Sequence, residues 1–189
     1  MVDVLLSIKV EHLIIQNLIQ TISYTIIQIN FLKGETHMIS KLNPASIEMA
    51  EAILAIQIPA YEIEAKYINS HAIPRLYDRV TDIQNCEETF YGYFLAHTLV
   101  GFISFTNEES FVDIHRLVVS PNYFHRGIAT DLLLHLFQLF PHIHTYIVQT
   151  GKANTPALSL YKKHGFIATQ NILLPDGTPL VKLKKSKKK

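Results

Sequence analysis

An α/β fold, with a mixed and mostly antiparallel central sheet flanked by helices, is what this 189-residue sequence predicts. Three observations predict it. Three consecutive runs rich in β-branched and aromatic residues, at 88–96, 99–106 and 110–119, are separated only by His97-Thr98 and Asn107-Glu108-Glu109, and read as an antiparallel meander. Apolar stripes at helical spacing precede and follow the meander. A chain of this length, 48% hydrophobic and 17% charged, buries one full core, so a second domain is not expected.

The elements follow in order. A first strand is expected at Met38-Ile39-Ser40-Lys41-Leu42, directly before Asn43-Pro44, a pair suited to starting a helix. That helix should run to about residue 57, with Ile47, Ala50, Ile53, Leu54 and Ile56 as its apolar stripe and Glu48 and Glu51 near its positive end. Pro59 is expected to end it, with a second helix over 61–69 and a looser segment over 74–85. After the meander, a helix over 127–140 packs on the sheet through Leu132, Leu133, Leu136 and Phe137. Residues 145–150 read as a buried strand, and a short helix over 154–164 stops at Gly165. A closing strand pair turns at Pro175-Asp176-Gly177, and the domain is expected to span 38–183. The lysine-rich tail, 184–189, is expected to be disordered.

Residues 1–37 have a different character. Ile15, Ile19, Ile22, Ile26 and Ile29 recur at helical spacing, but Gln16, Asn17, Gln20, Ser23 and Gln28 interrupt the run, so a membrane span is not expected. Asp3 precedes any basic residue and no small-residue cleavage site follows, which argues against a signal peptide. Lys33-Gly34-Glu35 can be encoded by AAA-GGA-GAA, a purine-rich bacterial ribosome-binding sequence, shortly before Met38. Translation is therefore expected to start at Met38, with 1–37 a non-native extension. The competing expectation is an accessory amphipathic helix.

A single cysteine, Cys86, leaves no internal disulfide framework and fits a reducing, cytoplasmic setting. Ten histidines include no pair at ligand spacing beside an acid, so no metal is expected. Charge divides along the chain. From Leu42 to Asp113, 11 acidic residues face 3 basic ones, whereas from Ile114 onward 2 acidic residues face 11 basic ones. An acidic first half suits a cationic partner. Six of the later bases lie between Lys182 and Lys189, a solvated run with no basic folded surface beside it, so no nucleic-acid role is expected.

The densest signal is Phe124-His125-Arg126-Gly127-Ile128-Ala129-Thr130, between the apolar Leu117-Val118-Val119 and the helix of Leu132-Leu133-Leu134. A strand that restarts as a helix at a glycine leaves unpaired N–H groups at the helix mouth, where phosphate oxygens bind. Gly127 lets a ligand approach the backbone, Ala129 keeps the approach narrow, and the helix dipole favours anions. Downstream stands Asn154-Thr155-Pro156-Ala157-Leu158-Ser159-Leu160-Tyr161, closed by Gly165-Phe166.

Together the two segments resemble the GNAT superfamily, whose members move an acetyl group from acetyl-CoA to an amine. The shared features are a strand ending in valines, a Gln/Arg-x-x-Gly-x-Gly/Ala loop and an Asn-x-x-Ala-x-x-x-Tyr helix ending in Gly-Phe. The resemblance covers about residues 38–183. One position departs: Phe124 stands where the family has Gln or Arg, so that side-chain contribution is missing while the backbone donors remain. The resemblance implies the GNAT acyl-CoA N-acyltransferase fold, with acetyl-CoA as cosubstrate. Its pantetheine would pair with Leu117, Val118 and Val119 as an added strand, in a slot opened by splaying of the strand at 145–150. Its pyrophosphate would sit on His125, Arg126, Gly127, Ile128, Ala129 and Thr130, and Asn154 would contact the CoA arm.

Tyr161 occupies the family's general-acid position, where a phenol protonates the departing thiolate. Asp113 is the expected base, at a place where some members carry a glutamate. His115, two residues on, shares its face and titrates near pH 6.5 when unperturbed. Glu87 and Glu88 are expected either to hold a substrate ammonium or to lie solvated at a strand start. The resemblance implies an N-acetyltransferase acting on a cationic amine, and relatives often form homodimers. The alternatives are a non-catalytic acyl-CoA-binding module and transfer of a longer acyl group. The region after the first helix covers the acceptor site in the family.

Overall fold

The computed structural model describes residues 37–186. The expectations for residues 1–36, and for 187–189 of the tail, lie outside the described residues. Among the described residues seven strands form one sheet: β1 (His37–Lys41), β2 (Thr89–Leu95), β3 (Thr98–Asn107), β4 (Phe111–Val119), β5 (Thr145–Gly151), β6 (Ile167–Leu173) and β7 (Pro179–Ser186). Their spatial order is β1-β2-β3-β4-β5-β7-β6. The meander β2-β3-β4 is antiparallel, as are β5-β7 and β6-β7, while β4 and β5 run parallel.

Among the described residues four α-helices cover the sheet: α1 (Ile47–Ile68), α2 (Val80–Gln84), α3 (Ile128–Leu139) and α4 (Thr155–Lys163). One face packs on α3 and α4 through Leu132, Leu133, Leu136, Tyr161 and Phe166 against Ile103, Phe105, Ile114 and Val148. The other face packs on α1 through Ala50, Ile53, Leu54 and Ile56 against Phe90, Phe102 and Val118. Removal of this apolar surface from water is the main force holding both layers to the sheet. Among the described residues, no helix is long and apolar enough to cross a membrane. Nor, among them, does any group of three or more His, Cys, Asp or Glu have the arrangement to hold a metal ion.

Three local expectations are corrected. Ser46, not Asn43, caps α1: its Oγ accepts from the Met49 amide at 3.4 Å and donates to Glu48 Oε2 at 2.6 Å. The Asn43 side chain instead closes a tight turn by accepting from the Ala45 amide. Pro59 does not end the helix, because α1 continues through it to Ile68. A proline removes one helical hydrogen bond, but buried residues lie on both sides of it, Ile53, Leu54 and Ile56 before and Ala65 after, and their packing offsets that loss. The tail expected to be disordered from residue 184 begins as strand. β7 pairs with β5 as far as Ser186, and Lys185 Nζ donates to the His164 carbonyl at 2.6 Å.

Candidate active site

The site begins with a bulge. Across β3 and β4, Ser104 faces Arg116 but Phe105 faces Ile114, so His115 is an extra residue on β4. A bulge bends its strand and sharpens its twist. Parallel pairing of β4 with β5 stops at this level, with Ile114 opposite Val148. Leu117, Val118 and Val119 stay paired with Ile103, Phe102 and Gly101 on one side, and have no β5 partner on the other. A cavity of about 320 Å³ occupies the wedge, lined by these three residues, by Tyr61 and Glu64 of α1, by Asn154 and Tyr161, and by the loop entering α3.

That loop is shaped by left-handed backbone. His125 (φ 61°) and Gly127 (φ 84°) both adopt it, on either side of Arg126. Left-handed residues in a loop allow neighbouring amide N–H groups to point toward one place, the geometry by which a backbone nest holds an anion. The first amides of α3 add to it, since a helix leaves its first N–H groups without internal partners. His125, Gly127, Ile128, Ala129 and Thr130 all line the cavity, and a Cβ at Gly127 would meet nothing within 4 Å. Phe124, 36% exposed, also lines it. Arg126 does not, because its guanidinium lies over the Tyr123 ring, 5.1 Å from the centroid.

Tyr161 is 4% exposed, on α4, and packs edge-on to Phe166. Burial pushes its phenol well above the ordinary tyrosine range, with Tyr61 and Glu64 adding to the shift. Tyr61 is raised for the same reason, burial first and Glu64 second. Asn154 starts α4, its Oδ1 accepting from the Ala157 amide at 3.1 Å. That cap occupies the side-chain oxygen only.

A second cavity of about 180 Å³ lies on the other side of Tyr161, and Tyr61, Glu64, Leu117, Asn154, Ala157 and Tyr161 line both. Its walls come from the end of α1, the segment at Ile73–Arg75, the end of β5 and the β6-β7 hairpin. Gly151 permits this closeness, because a Cβ there would overlap Ile68 Cγ2.

Asp113 lines neither cavity. It stands below the wedge, opposite Thr106 and Ile147, where partial burial raises its pKa while His115 and Lys182 oppose the rise. His115 lines the second cavity, with Nε2 3.0 Å from Thr106 Oγ1. Glu88 is neither solvated nor open to a substrate. Its carboxylate takes Arg75 Nη2 at 2.9 Å, Arg116 Nη2 at 3.2 Å and the Ser104 hydroxyl at 2.6 Å. Asp78 joins the cluster at 3.5 Å from Arg116 and accepts from Gln57 Nε2 at 2.9 Å.

Reading the sequence missed Glu64. Among the described residues lining the two cavities it is the one carboxylate, and Thr150 Oγ1 donates to it at 3.4 Å. Its local signal was the Tyr61-x-x-Glu64 spacing, which sets both side chains on one face of a helix.

Comparison with known proteins bears on the fold and the family. The sequence is 37% identical over 140 residues to the UPF0157 protein YqkA of Bacillus subtilis (strain 168), covering 74% of this chain and 41% of that protein. The chain thus spans less than half the length of that relative. Among solved structures, the PaiA N-acetyltransferase from Thermoplasma acidophilum in complex with coenzyme A shares the fold, with a TM-score of 0.62 and 23% identity over 80% of this chain and 99% of that one. The ribosomal-protein-S18-alanine N-acetyltransferase from Escherichia coli does so with a TM-score of 0.63 and 17% identity, covering 80% and 94%. The sequence model of the acetyltransferase (GNAT) family matches residues 50–166, and the chain belongs to that family.

Proposed function

We propose that the protein transfers an acetyl group from acetyl-CoA directly to an amine, with Tyr161 as general acid. The observation that carries the reading is the meeting of two cavities at Tyr161, one bounded by an unpaired strand edge and a backbone nest, the other by α1 and the β6-β7 hairpin. The residues of the first fit the carrier. The nest and the first amides of α3 suit a diphosphate, and the free edge of Leu117–Val119 suits the amides of a pantetheine arm. The relative solved with coenzyme A supports the same assignment by its shared fold.

Acetyl-CoA, when bound, supplies the acetyl group and a thiolate leaving group. Tyr161 supplies the proton that the sulfur needs. Because burial disfavours the phenolate, Tyr161 keeps its proton across the neutral range and holds it at the junction of the two cavities. Asn154 holds the start of α4 and thereby the height of Tyr161, two turns further along the same helix.

Calorimetry with acetyl-CoA, followed by a thiol-release assay over a library of amines, tests the reading. Tyr161→Phe is expected to bind acetyl-CoA as the wild type does and to lose about 100-fold in kcat. Binding without turnover of any amine would instead mark a non-catalytic acyl-CoA module.

A further inference from the structure

We infer that Glu64 binds the acceptor's ammonium and takes its first proton, and that the second cavity admits a small acceptor with a single positive charge. The inference rests on the acetyltransferase reading and names the substrate class of that site. Three observations lead to it.

Glu64 is placed where both cavities meet, within electrostatic reach of Tyr61 and Tyr161. An amine that reacts at this junction must arrive as an ammonium and become neutral before its lone pair can attack. Glu64 is the carboxylate positioned to hold the cation and accept that proton, whereas Asp113 lines neither cavity.

The second observation is a charge count. Arg75 and Arg116 also line the second cavity, and the nearby carboxylates Glu88 and Asp78 are already engaged with these two guanidiniums. Glu64 is left as the one carboxylate facing the cavity without a guanidinium partner among the described contacts. A second ammonium on the acceptor would have no counter-ion and would face two arginines. Polyamines and aminoglycosides are therefore disfavoured, in spite of the acidic composition of the first half.

The third observation is shape. Beyond Glu64 the walls mix apolar residues, among them Ile68, Leu174 and Leu180, with polar ones, among them Arg75, His115 and Arg116, around about 180 Å³. A volume of that size suits a small acceptor, and a lining with no second carboxylate among the described residues gives a second ammonium no partner.

The proton balance closes. Glu64 takes one proton from the ammonium, the nitrogen bonds to the acetyl carbon, and the carbon–sulfur bond breaks. Sulfur receives the Tyr161 proton, the second nitrogen proton restores the phenol, and Glu64 releases its proton to solvent. The products are the N-acetylated amine, the free thiol and one proton.

The test uses the full chain with acetyl-CoA and three acceptors: 3-methylbutylamine, 2-phenylethylamine and spermidine. The monoamines are expected to exceed spermidine in kcat/KM by about 10-fold or more, as an unpaired buried charge costs. Glu64→Gln is expected to retain acetyl-CoA affinity by calorimetry while losing about 100-fold in kcat/KM for the monoamines, with Glu64→Asp recovering part of the loss. Spermidine as the better acceptor would overturn the proposal. So would a Glu64→Gln enzyme of undiminished rate, or a wild type that binds acetyl-CoA and turns over none of the monoamines. Absence of acetyl-CoA binding in the wild type would sink the acetyltransferase reading itself, which separates the two failures. The acceptor ranking is measured on the wild type, so it stands even if Glu64→Gln does not fold.

Discussion

Glu88 and Arg116 show what a buried charge requires. The Arg116 side chain is fully buried, lies over the Phe90 ring at 5.3 Å from its centroid, and depends on Glu88 and Asp78 to balance its charge. Removing one partner leaves the other charge uncompensated in a low-dielectric interior. Glu88→Ala is therefore expected to lower unfolding free energy by about 3–5 kcal/mol, read from urea denaturation. None of this was visible in the sequence, where Glu88 and Arg116 stand 28 positions apart and each looks like an ordinary strand residue. Glu64 was hidden for the same reason, since its hydrogen-bond partner Thr150 is 86 positions away. The residues that were legible, from His125 to Thr130 and from Asn154 to Tyr161, lie in short motifs whose chemistry is set by neighbours in the chain.

At the level of elements, local signals located the strands and helices to within a few residues but failed where packing overruled them. Pro59 reads as a stop, yet the helix passes through it, because side chains on both flanks are buried. The β4 bulge had no sequence signature. It appears only when β3 and β4 are laid side by side, and it marks the level where β4 leaves β5. The entry to α3 was readable because a glycine there has a specific backbone task. Gly127 adopts φ 84°, and a Cβ would meet nothing, so its replacement costs backbone energy alone. Gly127→Ala is expected to lower stability by about 1 kcal/mol, measured by thermal or urea unfolding.

Across the whole molecule, distant segments are tied by a few polar contacts around the second cavity. Asp176, in the β6-β7 turn, accepts from the Thr178 amide at 3.1 Å, from the Thr178 hydroxyl at 2.5 Å and from the Ser70 hydroxyl at 3.2 Å. The Thr178 bonds, with a smaller contribution from Ser70, lower its pKa below the ordinary value of 3.8. The sign follows directly. An unfolded chain takes up this proton at a higher pH than the folded one, so the stability it contributes is present above pH 3.8 and fades as pH falls through the lowered value. Asp176→Asn is expected to show a smaller drop in urea midpoint between pH 6 and pH 3 than the wild type, a comparison made by fluorescence-detected unfolding.

The parallel junction of β4 and β5 extends only from Phe111 to Ile114, whereas β5 and β7 run side by side along the whole of β5. The sheet is thus two rafts moored at one corner. Rotation about that mooring would widen or narrow the gap between them without rupturing a ladder. A guest lying along the loose edge would lash the rafts together, so the loaded protein should be stiffer than the empty one on both sides of the gap, far beyond the atoms the guest touches.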